Sequence, residues 1–307
     1  MAETDLLIVT EEEAGMRLDK YLSLRFPDYS RTYFQSLIDE KLVLVNSELV
    51  KKANKLENGD EIEIEFALTQ EVSVEPEPIA LDILYEDEHL LAINKPAGMV
   101  VHPAVGNWTG TFVNALIYHC TQLSKQESLR PGIVHRLDKD TSGLLLAAKD
   151  EVTQRKLVEA FATRQIDKEY LAICLGNPGN RQIQANIGRH PQRRKEMSVL
   201  KDKGKEAKTV CETLAYRDNL SFVRLLPTTG RTHQLRVHMQ FIGFPILGDA
   251  VYGSVSVNKK YKAQRQLLHA YRLRFVHPIT REKIELNAKI PQDMQHFVHM
   301  IKDPVDL

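Results

Sequence analysis

A short, densely charged segment that leads directly into an apolar run constrains this sequence most. Residues 135–143 read His-Arg-Leu-Asp-Lys-Asp-Thr-Ser-Gly, and the apolar residues 144–148 follow at once. Thr-Ser-Gly supplies turn chemistry, and an apolar run of this length is typical of a buried strand. We therefore predict a buried strand whose preceding loop lies at the rim of the core, where a charged side chain can meet a ligand.

Asp138 is the candidate reactive group of this loop. His135, Arg136 and Lys139 flank it, and positive neighbours favour the ionised carboxylate that a nucleophile or general base requires. A solvated turn with local ion pairs explains the same residues without any chemistry. The loop alone leaves both interpretations open.

The nine residues closely resemble the signature of the RluA family of RNA pseudouridine synthases, His-Arg-Leu-Asp-x-x-Thr-Ser-Gly, whose catalytic residue is the Asp. That position is Asp138 here. Residues 95–103, Lys-Pro-Ala-Gly-Met-Val-Val-His-Pro, resemble the first motif of the same family. Tyr170 stands where the family carries its active-site tyrosine, whose ring can stack on a uracil and whose phenol can exchange a proton.

A third motif supplies the candidate partner of the carboxylate. Residues 231–239, Arg-Thr-His-Gln-Leu-Arg-Val-His-Met, resemble the family motif whose first Arg pairs with the catalytic Asp. The resemblance therefore implies this role for Arg231, with Arg236 as the next candidate. Apolar residues at 235, 239 and 242 predict a helix that has Arg231 near its start.

The resemblance implies isomerisation of specific uridines to pseudouridine in RNA, with large-subunit ribosomal RNA as the expected substrate and no cofactor. The sequence has no P-loop, no Gly-rich dinucleotide fingerprint and no HExxH or CxxC metal spacing, so no metal is expected. Two other classes stay open. A glycoside hydrolase or nucleosidase would need a second carboxyl group, for which Asp140 is the nearby candidate. The second class is a non-catalytic RNA-binding protein of the same architecture.

The first part of the chain predicts a separate small module. Helix, helix, strand, turn and strand follow one another between residues 15 and 65, and the pattern resembles the S4 RNA-binding domain. We predict a leader at 1–14, this domain at 15–68, a proline-containing linker at 69–79 and a catalytic domain at 80–307. The fold class expected is α+β, with a mixed, largely antiparallel sheet flanked by helices and loops in the catalytic domain.

Charge is distributed unevenly along the chain. Residues 1–100 hold 9 Lys and Arg against 22 Asp and Glu, whereas residues 101–307 hold 32 against 19. Residues 189–208 alone hold 8 basic and 3 acidic side chains and are interpreted as an extended basic hairpin or loop that contacts phosphates. The candidate RNA-binding residues are Arg17, Lys20, Arg31, Lys51, Lys52, Lys95, His102, Arg136, Arg193, Arg194, Lys195 and Arg236.

Composition excludes several classes of protein. No apolar run reaches 18 residues, and the acidic start lacks the segments of a signal peptide. Three cysteines far apart in sequence indicate reduced thiols and not a disulfide framework. We expect a cytoplasmic protein that is a monomer.

Overall fold

The computed structural model describes residues 4–26, 29, 31–65, 75–102, 109–120, 123, 131–190, 192–193, 196–201 and 203–302. Contacts divide the chain into two compact units, residues 1–73 and 74–307. The predicted bounds of 15–68 and 80–307 stay a prediction, and most of the predicted linker lies outside the described residues.

The first unit is a four-stranded antiparallel sheet with two helices. Its elements are β1 (Thr4–Ile8), a 3-10 helix (Glu11–Glu13), α1 (Leu18–Arg25), α2 (Arg31–Asp39), β2 (Val43–Val45), β3 (Glu48–Leu49) and β4 (Glu61–Glu65). The strand order is β1-β4-β2-β3. The helices and strands predicted at 15–65 are present, whereas β1 adds to the sheet from the leader and was not predicted. Ser30, the predicted cap of α2, lies outside the described residues.

The second unit is built on a ten-stranded sheet. Its strands are β5 (Ile83–Glu86), β6 (Leu90–Lys95), β7 (Ser142–Ala148), β8 (Asp167–Leu175), β9 (Arg181–Arg189), β10 (Met197–Leu200), β11 (Lys205–Arg217), β12 (Leu220–Pro227), β13 (Leu268–Val276) and β14 (Lys283–Asn287). The order is β10-β9-β11-β12-β8-β13-β7-β6-β5, with β14 paired to β13. The β13–β7 pair is parallel and the other named pairs are antiparallel, which confirms the predicted mixed, largely antiparallel sheet.

Within the described part of this unit, five helices flank the sheet: α3 (Phe112–His119), α4 (Glu151–Ala162), α5 (Gln234–Phe241), α6 (Val255–Lys260) and α7 (Gln292–Ile301). The predicted cap of α4 is confirmed, since the Asp150 carboxylate accepts the Thr153 N–H at 2.8 Å. Helix α5 begins at Gln234, three residues after Arg231. Among the described residues, no helix has the length and apolarity to cross a bilayer.

Strand β7 lies at the centre of the larger core. All seven of its residues are buried, which explains why residues 144–148 are continuously apolar and do not alternate. Gly143 is required at its start, because its φ is +110° and a Cβ there would lie 2.2 Å from the Ala270 carbonyl oxygen on β13. The close pairing of β7 with β13 thus fixes the end of the loop that carries Asp138.

Candidate active site

A cavity of about 420 Å³ opens beside the loop that precedes β7. Its lining comes from that loop, from β8, from the end of α4 and from the segment between β12 and α5. Five of the lining residues are basic: Arg136, Arg164, Lys168, Arg231 and Arg236. Asp138 is the one carboxylate among the described residues that line it. The cavity is therefore suited to an anionic ligand, with a single carboxylate facing it.

Asp138 lies in a tight turn at the rim of the core, as the sequence predicts. Its carbonyl accepts the Thr141 N–H at 3.1 Å, and Thr141 immediately precedes the buried β7. The Asp138 side chain is 21% exposed, so the carboxylate is fixed from below by the sheet and remains open to the cavity. This placement meets the requirement for a reactive group that must touch a ligand.

Arg236 holds the carboxylate of Asp138. Its Nη1 donates to Asp138 Oδ2 at 2.9 Å, while its Nε and Nη2 donate to the two carboxylate oxygens of Asp249 at 2.7 and 3.0 Å. Asp249 is fully buried and also accepts the N–H groups of Val251 and Tyr252. Burial alone would raise the pKa of Asp249. The hydrogen bonds and positive charge of Arg236 lower this pKa by more than burial raises it, so the net shift is downward. A buried Asp249 thus fixes the guanidinium that aims Asp138.

The predicted pairing of Arg231 with Asp138 is wrong. Arg231 lies in the loop before α5, where its Nε donates to the Glu206 carbonyl at 3.0 Å and its N–H donates to Gln234 Oε1. Because α5 begins at Gln234, Arg236 is on the first turn of the helix and faces inward, whereas Arg231 reaches back to the start of β11. Arg231 still lines the cavity, where it can contact a ligand.

Tyr170 lies on β8 and lines the same cavity. Burial raises the pKa of its phenol, and the nearby Asp138 carboxylate adds to the shift. The phenol is therefore protonated at neutral pH, a state in which it can donate a hydrogen bond or offer its ring for stacking. It is a poor proton acceptor in this state.

His135 does not add positive charge beside Asp138, contrary to the expectation from its sequence neighbourhood. Its Nε2 accepts the Leu146 N–H at 2.9 Å, and its ring stacks on Phe161 at 4.5 Å. Burial lowers the pKa of His135 to about 3, and the positive Lys168 contributes. A neutral imidazole is required here because the acceptor nitrogen must lack a proton.

Lys95 was a candidate for RNA binding, with a structural role as the alternative, and the structure places it in the structural role. The side chain is fully buried, and Nζ donates to the carbonyls of Pro96, Met99 and Lys139 at 2.8–3.0 Å. Burial lowers the pKa of Lys95 to about 7, although Asp140 opposes the shift. Three acceptors match the three donors of an ammonium group, so Lys95 ties the turn at 96–99 to the loop that carries Asp138.

His233 was not singled out from the sequence, yet it borders the carboxylate. Its Nε2 lies 3.9 Å from Asp138 Oδ1, and its Nδ1 lies 2.8 Å from the Tyr252 hydroxyl. Its φ is +54°, in the left-handed region that residues other than Gly rarely adopt. Asp249 was likewise missed. A buried Arg needs a carboxylate partner, but sequence does not show that Arg236 is buried.

Three other candidate RNA-binding residues of the larger unit lie in the part of the chain that the structure describes: Arg136, His102 and Arg193. Arg136 is exposed and lines the cavity, and His102 is half-buried. Arg193 is exposed and its Nη1 lies 3.1 Å from a Glu196 carboxylate oxygen. Arg194 and Lys195 lie outside the described residues. The segment 189–208 contains the end of β9, β10 and the start of β11, which confirms the predicted extended hairpin.

In the smaller unit, Arg17 and Arg31 share one buried carboxylate. Asp19 is fully buried and accepts hydrogen bonds from Arg17, Arg31 and Gln35 at 2.6–3.1 Å. Burial alone would raise the pKa of Asp19, but the hydrogen bonds from these donors lower it by more, so the net shift of the pKa is downward. Both guanidinium groups remain nearly half exposed. The remaining candidates here are Lys20 and Lys51, which are exposed, and Lys52, which pairs with Asp39 at 2.9 Å.

One group of possible metal ligands lies elsewhere among the described residues. Ligand atoms of Glu86, His119 and Cys120 lie within 4.8 Å of one another. Lys149 Nζ already donates to Glu86 at 2.8 Å, and burial raises the pKa of the Cys120 thiol, which favours the protonated form that does not bind metals. Ion pairing accounts for this group, and the expected absence of a metal stays a prediction.

Family models and known proteins match both units. Residues 89–241 match the RNA pseudouridylate synthase model, and residues 16–62 match the S4 domain model. The chain is 42% identical over 306 residues to ribosomal large subunit pseudouridine synthase D of Neisseria meningitidis serogroup B, covering 96% of this chain and 81% of that protein. It is 41% identical over 299 residues to the uncharacterized RNA pseudouridine synthase YlyB of Bacillus subtilis, covering 96% of this chain and 97% of that protein.

Solved structures agree with these matches. Human RNA pseudouridylate synthase domain containing 4 superposes with a TM-score of 0.57 at 28% identity, over 72% of this chain and 94% of the human chain. Human RNA pseudouridylate synthase domain containing 1 gives a TM-score of 0.56 at 27% identity, over 74% and 100%. The chain therefore belongs to the RNA pseudouridine synthases, a family of isomerases, and carries an S4 domain in its first part.

Proposed function

We propose that this protein converts specific uridines of large-subunit ribosomal RNA to pseudouridine, with Asp138 as the catalytic residue and without a cofactor. The names of similar proteins support the substrate. The observation that carries the proposal is the Asp138–Arg236 ion pair at the wall of a basic cavity. We further expect the protein to act as a monomer in the cytoplasm.

The reaction needs one carboxylate and no external group. The bond between uracil N1 and the anomeric carbon breaks, uracil rotates, and a bond from C5 to the same carbon forms. C5 loses a proton and N1 gains one, so the composition of the nucleotide is unchanged. The carboxylate can attack the anomeric carbon, attack the uracil ring or remove a sugar proton. Because Arg236 engages Oδ2 of Asp138, Oδ1 is the atom that acts in each of these routes.

The cavity also suits the substrate. Its volume of about 420 Å³ is within the range of small-molecule pockets and can accept one nucleotide that has left its stack. Arg136, Arg164 and Lys168 line it and can bind phosphates next to the flipped nucleotide. Tyr170 also lines the cavity and can stack its ring on the uracil.

Hydrolysis of the glycosidic bond fits the site less well. Glycoside hydrolases use two carboxyl groups about 5–9.5 Å apart. Asp140, the candidate second group, is absent from the described residues that line the cavity, and its loop carbonyl accepts from Arg265. The geometry therefore favours isomerisation over release of uracil.

The test uses large-subunit ribosomal RNA from cells that lack this protein. Incubation with the purified protein should create pseudouridine at defined positions, which chemical mapping detects, and should release no free uracil. Release of uracil would identify a hydrolase. Binding without any change to the RNA would identify a non-catalytic RNA-binding protein.

A further inference from the structure

A chain of contacts links the reactive carboxylate to β10. The Met197 N–H donates to the Tyr252 hydroxyl oxygen at 2.8 Å. That hydroxyl lies 2.8 Å from His233 Nδ1, and His233 Nε2 lies 3.9 Å from Asp138 Oδ1. Oδ1 is the oxygen that Arg236 leaves unbound. His233 is thus the side chain next to the reacting atom.

The contacts favour the tautomer of His233 that carries its hydrogen on Nε2. The Tyr252 oxygen accepts from a backbone N–H, so its own hydrogen is available to His233 Nδ1. Burial lowers the pKa of His233 and raises that of Tyr252, which keeps both groups neutral at pH 7. In this tautomer the remaining ring hydrogen is on Nε2, the nitrogen that lies 3.9 Å from Asp138 Oδ1.

The 3.9 Å separation of Nε2 from Asp138 Oδ1 is too long for a hydrogen bond. One oxygen atom can lie about 2.8 Å from both, and a hydroxyl fits there because it accepts from the N–H and donates to the carboxylate. A uracil carbonyl does not fit, because it cannot donate to a carboxylate. The hydroxyl adjacent to the anomeric carbon of a ribonucleotide is the 2′-hydroxyl.

We propose that His233 is a specificity-determining residue whose Nε2–H binds the 2′-hydroxyl of the target nucleotide, so that the enzyme distinguishes ribose from deoxyribose at the reacting position. The inference rests on the proposed function. The backbone of His233 supports the proposal as well, since its φ of +54° is unfavourable for a residue other than Gly and strained conformations of this kind cluster at ligand sites.

The test combines two changes, one in the protein and one in the RNA. A fragment of large-subunit ribosomal RNA is synthesised with uridine or with 2′-deoxyuridine at its uridine positions. The ratio of kcat/KM for the two RNAs is measured for the wild type, for His233→Phe and for His296→Phe. His296 is exposed on α7 and provides a matched control. Any change in intrinsic reactivity caused by loss of the hydroxyl is common to all three proteins and cancels.

We expect the preference for ribose to fall about fivefold in His233→Phe, since a net hydrogen bond is worth about 1 kcal/mol, and to stay at the wild-type value in His296→Phe. An equal preference in the wild type and His233→Phe overturns the inference. The ratio of Kd values for the two RNAs is measured in parallel, so that the preference for ribose can also be determined for a variant without turnover. Absence of product with wild-type protein and ribose RNA counts against the proposed function, and the Kd ratio then scores the inference alone.

Discussion

The guanidinium of Arg236 and the carboxylate of Asp249 form a buried two-point ion pair, with distances of 2.7 and 3.0 Å, that leaves the Nη1 atom of Arg236 for Asp138. Loss of Arg236 should therefore have two effects. An unpaired buried Asp249 should lower the free energy of unfolding by about 3–5 kcal/mol, and a misaimed Asp138 should lower kcat about 100-fold.

Arg231→Leu is the matched control for Arg236→Leu. Arg231 donates to a backbone carbonyl and has no carboxylate partner among the hydrogen bonds described for it, so its loss should change the free energy of unfolding by less than about 1 kcal/mol. Urea unfolding and single-turnover kinetics on both variants check this. Equal losses in the two variants would contradict the assignment of the pair to Arg236.

Lys95 supports the Asp138 loop from inside the core. Lys95→Met removes a buried donor that three backbone carbonyls share and should lower the free energy of unfolding by about 3 kcal/mol, since each of three lost hydrogen bonds contributes about 1 kcal/mol. Lys259→Met, at an exposed position of α6, is the control and should change it by less than about 0.5 kcal/mol. Wild-type stability of Lys95→Met would show that the three contacts contribute nothing.

Acid should destabilise the larger unit before most carboxylates titrate. Burial lowers the pKa of His135 to about 3 and the pKa values of His238 and His269 to about 4. Between about pH 6.5 and pH 4 the unfolded chain binds protons at these sites and the folded chain does not, so stability falls as pH falls. Each histidine contributes up to about 1.4 kcal/mol per pH unit. Urea unfolding between pH 7 and 5 should show this slope, and His269→Gln should reduce it by roughly a third. A flat profile would contradict the neutral assignment.

In the S4 domain, Asp19→Asn tests whether RNA binding depends on the fixed positions of Arg17 and Arg31 or only on the net charge of the domain. The change removes a negative charge, which by attraction alone should tighten RNA binding. Because Asp19 holds Arg17 and Arg31 in place, we expect weaker binding, by about five- to tenfold in Kd. Asp39→Asn removes an exposed carboxylate, 62% exposed, and should leave or slightly tighten binding. Tighter binding by both variants would show that charge alone matters.

The sequence predicted the secondary-structure elements better than it predicted which side chains pair with one another. The apolar residues 144–148 could only be buried, so β7 and the rim position of Asp138 followed directly. The partner of Asp138 depended on where α5 begins. A start three residues after Arg231 placed Arg236 at the inward position, and the ends of helices are the part that sequence predicts least well.

The sequence also did not predict which polar side chains are buried. Lys95 and His135 looked like ligands of RNA or neighbours of a charge, because Lys is rarely buried and His is usually half exposed. Both instead bind backbone groups around the Asp138 loop. Their roles depend on contacts between segments about 10 to 45 residues apart, which a single sequence does not reveal.

Asp138→Asn is the decisive variant for the role of Asp138 as the catalytic residue. The amide keeps the shape of the carboxylate and loses its charge, while Asp140→Asn makes the same change two residues away, outside the lining of the cavity. Pseudouridine formed in large-subunit ribosomal RNA is measured at saturating enzyme, together with the Kd for the RNA. We predict no detectable pseudouridine with Asp138→Asn, a Kd within a few-fold of the wild type, and most of the wild-type activity with Asp140→Asn. Turnover by Asp138→Asn above a tenth of the wild-type rate would contradict the account.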